Sequence, residues 1–287
     1  MKIAIAAPGR KVSPKEMKHA IKWLCSNGIT VVYDDRLFLE DHIFAGSDDE
    51  RAKIIQEYMD NPDIDAIWLA RGGYGSIRII DKIDFSRFKE HPKPFIGFSD
   101  GTVFHGMAQR LGIPSIHASM PYFFKKKTPE AKQSLLDALY NKPLNYQWQA
   151  HELNRPGKAE ATIVGGNLSV LYGMMGSNSF PETKNRILFL EEVDEYIYHI
   201  ERMMMGLKRA GILESLAGLV IGGLSSIHDN KDPFGKTVEK AIFDTVKDYS
   251  YPVCFNFPAG HIRDNRALVL GRTTSLTVSL DGSVLNQ

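Results

Sequence analysis

The sequence is poor in cysteine. Only Cys25 and Cys254 occur in 287 residues, each in an apolar stretch, and no C-x-x-C pair exists. A disulfide framework and a cysteine-based zinc site are thereby excluded, and a reducing compartment fits. No stretch approaches the ~20 consecutive apolar residues of a membrane-spanning helix. The opening M-K-I-A-I-A-A-P-G is too short for a signal-peptide core, because Pro8-Gly9 ends it. These features set the expectation of a cytoplasmic protein with no membrane partner. Neither sign of charge is in excess: the formal net charge is +1, so no global field draws the chain to nucleic acid. The run Lys125, Lys126, Lys127 reads as a solvated loop before a helix. The G-x-G-x-x-G dinucleotide spacing, the phosphate-loop lysine and the H-G-G-G sequence of esterases are all missing.

What is present is a globular composition, 43% hydrophobic and 24% charged, able to bury a sizeable core. In the first half, short apolar runs alternate with amphipathic segments. Strands are expected at Ile3 to Ala7, Thr30 to Tyr33, Ala66 to Ala70, Pro94 to Phe98 and Pro114 to Ile116. Helices open at Ser13-Pro14, at the Ser47/Glu50 capping box, after Asp100 and at Thr128-Pro129. Nearly all-apolar strands separated by helices indicate a parallel sheet covered on both faces. From Asn141 to Lys158 the chain turns polar and irregular, and the linker is placed there. The second half carries a helix opened by Gly165-Gly166-Asn167, a strand at Ile187 to Leu190, and a long helix from Tyr198 to Ala210. Further strands are expected at Gly218 to Ile221 and Val253 to Phe255, with a closing hairpin turning at Asp281-Gly282. The expected architecture is α/β: an N-terminal parallel sheet flanked by helices, residues 1–145, a linker, 146–160, and a C-terminal mixed α/β domain, 161–287.

The sharpest local signal is Gly97-Phe98-Ser99-Asp100-Gly101, a G-x-S-x-G between strand and helix. That is the setting of a nucleophile elbow, with the next helix aiming its N–H groups at a developing oxyanion. A second glycine turn, Arg71-Gly72-Gly73-Tyr74-Gly75, follows the third strand on the same sheet edge. Its amides suit an anion or a carbonyl oxygen. Arg71 suits a substrate carboxylate or, equally, a domain-interface ion pair. A serine nucleophile needs a base, normally histidine. Of nine histidines, His19, His42, His91 and His151 sit in polar settings, His199 lies within the long helix, and His228 in a polar loop. His105 reads as a core residue one turn into the helix after Ser99. His117 ends a strand as a pocket candidate, and His261 follows Pro258-Ala259-Gly260 at another strand end. The residues alone put His261 only modestly ahead of His117. The strand Ile187 to Leu190 ends in Glu191-Glu192, and alternation presents one of the two to the cleft.

Taken in order, R-G-G-Y-G (71–75), G-F-S-D (97–100), G-G-N-L (165–168), L-E-E (190–192) and P-A-G-H (258–261) resemble the LD-carboxypeptidase family of serine peptidases. That family includes muramoyltetrapeptide carboxypeptidases and microcin C immunity peptidases, and the resemblance runs over nearly the whole chain. It implies Ser99 as nucleophile, Glu191 as triad acid and His261 as general base, with the amides of Gly73 and Asp100 as oxyanion hole. It also implies substrate contacts from Arg71, Gly72 and Tyr74, no metal or organic cofactor, a small peptide substrate with a free carboxylate, and a homodimer. Two stretches depart from the family: His117-Ala118-Ser119-Met120 stands where H-G-P is frequent, and no proline precedes Leu270-Gly271.

Overall fold

The computed structural model describes all residues, Met1–Gln287. Five strands, β1 (Lys2–Ala6), β2 (Thr30–Val32), β3 (Ala66–Leu69), β4 (Phe95–Gly97) and β5 (Ser115–His117), form a parallel sheet in the order β2-β1-β3-β4-β5. Ile3, Ala4 and Ile5 are fully buried, as are Ile67 and Leu69, because helices cover both faces. The helices are α1 (Pro14–Ser26), α2 (Asp48–Asp60), the single turn α3 (Ser76–Ile79), and α4 (Thr102–Arg110). The capping box foreseen for α2 is formed: the Glu50 amide donates to Ser47 Oγ, and Glu50 Oε2 accepts from the Ser47 amide at 2.8 Å. Helix α5 (Pro129–Leu139) follows.

The second half is organised around another sheet. Its parallel part is β7 (Gly157–Asn167), β8 (Ile187–Val193), β9 (Gly218–Ser225) and β10 (Val253–Cys254). It is covered by α6 (Leu168–Met174), α7 (Ile197–Arg209) and α8 (Val238–Val246), the last of which the sequence reading did not foresee. The expected terminal hairpin is present as β12 (Thr273–Val278) and β13 (Gly282–Asn286), paired antiparallel beside β7.

Two local expectations are corrected. The stretch read as irregular contains β6 (Asn145–Gln149), which pairs antiparallel with β13 and ends the second sheet, and β7 begins at Gly157. Conversely, β11 (Leu268–Leu270), from near the chain's end, joins the first sheet antiparallel to β5. The first sheet thus borrows a strand from the far end of the chain, whereas the second is built wholly from residues after Leu144.

The two sheets meet at their carboxyl edges. The ends of β1, β3 and β4 supply one wall of a cleft of about 730 Å³, and the ends of β7 and β8 with the turn after β10 supply the other. A Cβ at Gly166 would lie 2.6 Å from Thr102 Oγ1, and that hydroxyl accepts the Asn167 amide at 3.0 Å. Helix α4 is thereby docked on the end of β7.

Candidate active site

Ser99 stands in the turn between β4 and α4. Its own φ is +59°, the left-handed region that a side chain with a Cβ rarely adopts. Holding a residue there costs about 1–3 kcal/mol, a cost met at functional turns. The flanking glycines are required for space instead. A Cβ at Gly101 would stand 2.9 Å from Leu69 Cδ1, and one at Gly97 3.2 Å from Leu69 Cβ.

The turn is fixed from beneath. The side chain of Asp100 is buried, and its Oδ2 accepts the Ser76 amide at 2.9 Å, which ties the elbow to the glycine turn. Burial pushes the Asp100 carboxyl above its ordinary range. The buried Arg51 donates to the carbonyls of Pro8, Gly46 and Gly75 and pairs with Asp48. One guanidinium therefore holds the loops after β1 and β3 together.

Gly72 presses against the nucleophile: a Cβ there would lie 3.1 Å from Ser99 Oγ. Gly73 has a φ of +106°, and a Cβ on it would come 2.7 Å from Arg10 Cγ. The amides of Gly73 and Asp100 donate to no group of the protein. Two free N–H groups beside a serine hydroxyl suit a developing oxyanion. Gly73→Ala keeps the amide but, at φ +106° and against the Arg10 stem, must shift the turn and swing that N–H away from the oxyanion. The expected fall in kcat is up to about 10²–10³-fold, the loss of one oxyanion donor. Steady-state kinetics on a variant with native circular dichroism checks this, and wild-type kcat would remove Gly73 from that role.

On the second wall, alternation along β8 sends its two acids to different partners. Neither reaches solvent, since Glu191 is 0% and Glu192 1% exposed. Glu191 Oε2 accepts the His261 Nδ1–H at 2.6 Å and the His261 amide at 3.2 Å. Gly260 makes the approach possible, because a Cβ there would lie 2.8 Å from Glu191 Cβ. Burial alone would raise the Glu191 carboxyl, but the charge and hydrogen bond of His261 outweigh it and hold it below its ordinary value. Burial opposes protonation of His261, and Glu191 reverses that, leaving the imidazole above its ordinary value. Glu192 accepts instead from Asn167 Nδ2 at 2.9 Å, the Val193 amide at 2.9 Å and the Ser169 amide at 2.7 Å, and burial pushes its carboxyl up.

With Nδ1 engaged by Glu191, Nε2 is the nitrogen His261 has available for chemistry. The His261 ring packs 4.7 Å from the ring of Phe98, the residue before Ser99. Ser99 and His261 both line the cleft, and no hydrogen bond joins them. Gly72, Gly73 and Arg71 line it too.

Other expectations fall elsewhere. Tyr74 does not line the cleft; its half-exposed ring packs 6.2 Å from Phe44. His117 is buried between Phe98 and Phe189, with both ring nitrogens unpartnered, and burial pushes it down to about 3. It faces core, not pocket, because its strand is covered by the second sheet's Phe189. Lys127 is not a solvated member of its run: Nζ donates to the Ile262 carbonyl at 2.7 Å, and burial pushes it down to about 8. Arg10, Lys127, Ser169 and Asp194 line the cleft without any motif to announce them. Arg10 could have been found by noting that it ends the first strand's loop on the edge that carries Ser99.

Family models for the LD-carboxypeptidase N-terminal domain and C-terminal domain match residues 3–118 and 160–276. The chain belongs to the LD-carboxypeptidase family. As a member it is a serine-type peptidase, a hydrolase. A Bacillus subtilis protein named "Probable murein peptide carboxypeptidase" is 29% identical over 289 residues, covering 99% of this chain and 91% of that one. The muramoyltetrapeptide carboxypeptidase of Oxalobacter formigenes superposes with a TM-score of 0.91 at 29% identity, covering 100% of this chain and 98% of that one. MccF in complex with glutamyl sulfamoyl guanosine superposes with a TM-score of 0.88 at 20% identity, over 100% and 96% of the two chains, a likeness of fold. The LD-carboxypeptidase fold thus accounts for both sheets and for the cleft between them. No helix of this family member is long and apolar enough to cross a membrane.

Proposed function

We propose that the protein is a carboxypeptidase that removes the terminal D-alanine from peptidoglycan-derived tetrapeptides by acyl transfer through Ser99. The observation that carries this reading is the 2.6 Å contact of His261 Nδ1 with buried Glu191, on a histidine that shares a cleft with Ser99. Glu191 fixes the imidazole tautomer, so that Nε2 bears the lone pair. As substrate fills the cleft, Nε2 takes the Ser99 Oγ proton while Oγ attacks the scissile carbonyl carbon. Catalytic hydrogen bonds commonly tighten only at this stage. The tetrahedral oxyanion accepts from the amides of Gly73 and Asp100. The C–N bond then breaks, His261 returns the proton to the departing amine, and an acyl-enzyme remains. Water attacks that ester, losing its proton to His261; the bond to Ser99 Oγ then breaks, His261 returns the proton to Oγ, and the shortened peptide leaves. The preference for a bond between an L-centre and a D-residue is carried by the family, not by any residue here.

Two free cysteines, one exposed and one buried, fit action in the cytoplasm, and a homodimer belongs to the same reading. Residues 1–145 as nucleophile domain, its sheet completed by β11, and 161–287 as the domain of acid and base, its sheet extended by β6 and the start of β7, complete it. The test is incubation with murein tetrapeptide and detection of D-alanine by mass spectrometry. Matched substrates, D-Ala against L-Ala and acid against amide, should show preference for the terminal D-residue with a free carboxylate. Turnover of an aminoacyl nucleotide in place of the tetrapeptide would move the enzyme to the family's other substrate class.

A further inference from the structure

The strand order β2-β1-β3-β4-β5 reverses direction between β1 and β3. In sheets of this kind a ligand binds at the carboxyl ends of the strands where the order reverses. Here the two loops that meet at that point are Pro8-Gly9-Arg10 and Arg71 to Gly75.

Three cations line the cleft: Arg10, Arg71 and Lys127. Two are engaged with the protein. The Arg71 guanidinium donates to the Lys11 carbonyl at 3.0 Å and lies 4.0 Å over the Tyr122 ring. Lys127 donates to the Ile262 carbonyl. The Arg10 guanidinium has neither a hydrogen bond nor an ion pair with any group of the chain, although its stem is held in place. The stem lies where a Gly73 side chain would be, with Arg10 Nε 3.5 Å from that Cβ position. Its backbone is bridged to Phe44, and the preceding carbonyl, Gly9, accepts the Ala45 amide at 3.1 Å.

We infer that Arg10, not Arg71, is the specificity-determining residue that binds the carboxylate of the substrate's last residue. The inference rests on the exopeptidase reading above. A guanidinium offers a planar fork of donors matched to a carboxylate, and it stays charged at any working pH. Position fits as well as chemistry. With the scissile carbonyl oxygen on the Gly73 amide, the terminal carboxylate lies one residue further along, about 3.8 Å in Cα spacing. Arg10 Nε stands 3.5 Å from the Gly73 Cβ position, and Arg10 lines the same cleft as Ser99, so its fork lies within about a residue's length of the oxyanion turn. A chain continuing past that residue would carry its carboxylate beyond this reach. The opposite wall carries Asp194, an acid that disfavours a carboxylate on that side. The glycine at position 73 then has two consequences at once: an amide free for the oxyanion and room for the arginine that reads the terminus.

The test compares kcat/KM for a tetrapeptide acid and its C-terminal amide in wild type, Arg10→Gln, Arg10→Lys and Arg71→Gln. Arg10→Gln is expected to lose about ten- to a hundredfold on the acid, mainly in KM, and to keep the wild-type value on the amide. Arg10→Lys should recover part of the loss, since charge remains without the fork. Labelling of Ser99 by a fluorophosphonate at the wild-type rate establishes that each variant is folded. An unchanged acid-to-amide ratio in Arg10→Gln overturns the inference, as does collapse of that ratio in Arg71→Gln alone. Absence of acid preference in the wild type would instead overturn the exopeptidase reading itself, so the two failures are distinguishable.

Discussion

Replacement of Ser99 by alanine is expected to lower turnover by about 10⁴-fold or more, with the fold and substrate affinity retained. A factor of this size follows from losing the nucleophile of a triad, where the remaining oxyanion donors and binding contacts supply only residual catalysis. It corresponds to about 5.5 kcal/mol of barrier. The change removes one oxygen at a cleft-facing position and leaves untouched the Asp100–Ser76 bond and the Arg51 cluster that shape the turn. Thermal stability should therefore stay close to wild type, because alanine meets the same backbone strain at φ +59° that serine does. The variant should bind the tetrapeptide in calorimetry and resist fluorophosphonate labelling. Turnover near the wild-type rate would end the assignment of Ser99.

Glu191→Gln is expected to cost about 10⁴-fold at the pH optimum and to shift the acid limb of the pH profile. The sign follows from which form of His261 works. Only the neutral imidazole accepts the Ser99 proton, so kcat/KM falls as pH drops through the His261 pKa. Glu191 holds that pKa above its ordinary value, against burial. With the charge gone, burial dominates, the imidazole protonates only in more acidic solution, and the acid limb moves to lower pH. The plateau falls nonetheless, because a glutamine amide can donate to Nδ1 and favour the wrong tautomer. Glu192→Gln should do far less, since Glu192 touches Asn167, Val193 and Ser169 and makes no contact with His261. Rate measurements across pH on both variants check the ranking. A larger loss for Glu192→Gln would reverse the roles given to the two acids.

Much of this architecture was readable from the chain because its signals are local. The apolar runs of β1, β3 and β4 and the glycine-flanked Ser99 depend on residues next to one another. What escaped depends on distant partners. Strand β6 reads N-Y-Q-W-Q, with only Tyr146 fully buried, so its polar face disguised it as linker. The first residues of β7 alternate in the same way, with Lys158 and Glu160 outward. Strand β11 is three residues long and is defined by pairing with β5 across 150 positions of chain. At the site, alternation correctly separated Glu191 from Glu192, but which of them meets His261 depends on the path of the chain after β10. Lys127 looked solvated because its neighbours Lys125 and Lys126 are. Nothing beside it in sequence reports the Ile262 carbonyl that takes its proton donor.

The crossed strand β11 bears on how the enzyme comes into being. During synthesis from the N-terminus, every strand that shapes the Ser99 elbow is made well before Leu268–Leu270, the strand that covers the outer edge of β5. Until that late segment emerges, the nucleophile sheet keeps a raw edge of unpaired amides and carbonyls, an invitation to pair with another chain. The catalytic base at His261 also arrives only then. A growing chain therefore displays its serine without the means to use it, and a ribosome that stops early releases a fragment with neither a finished sheet nor peptidase activity.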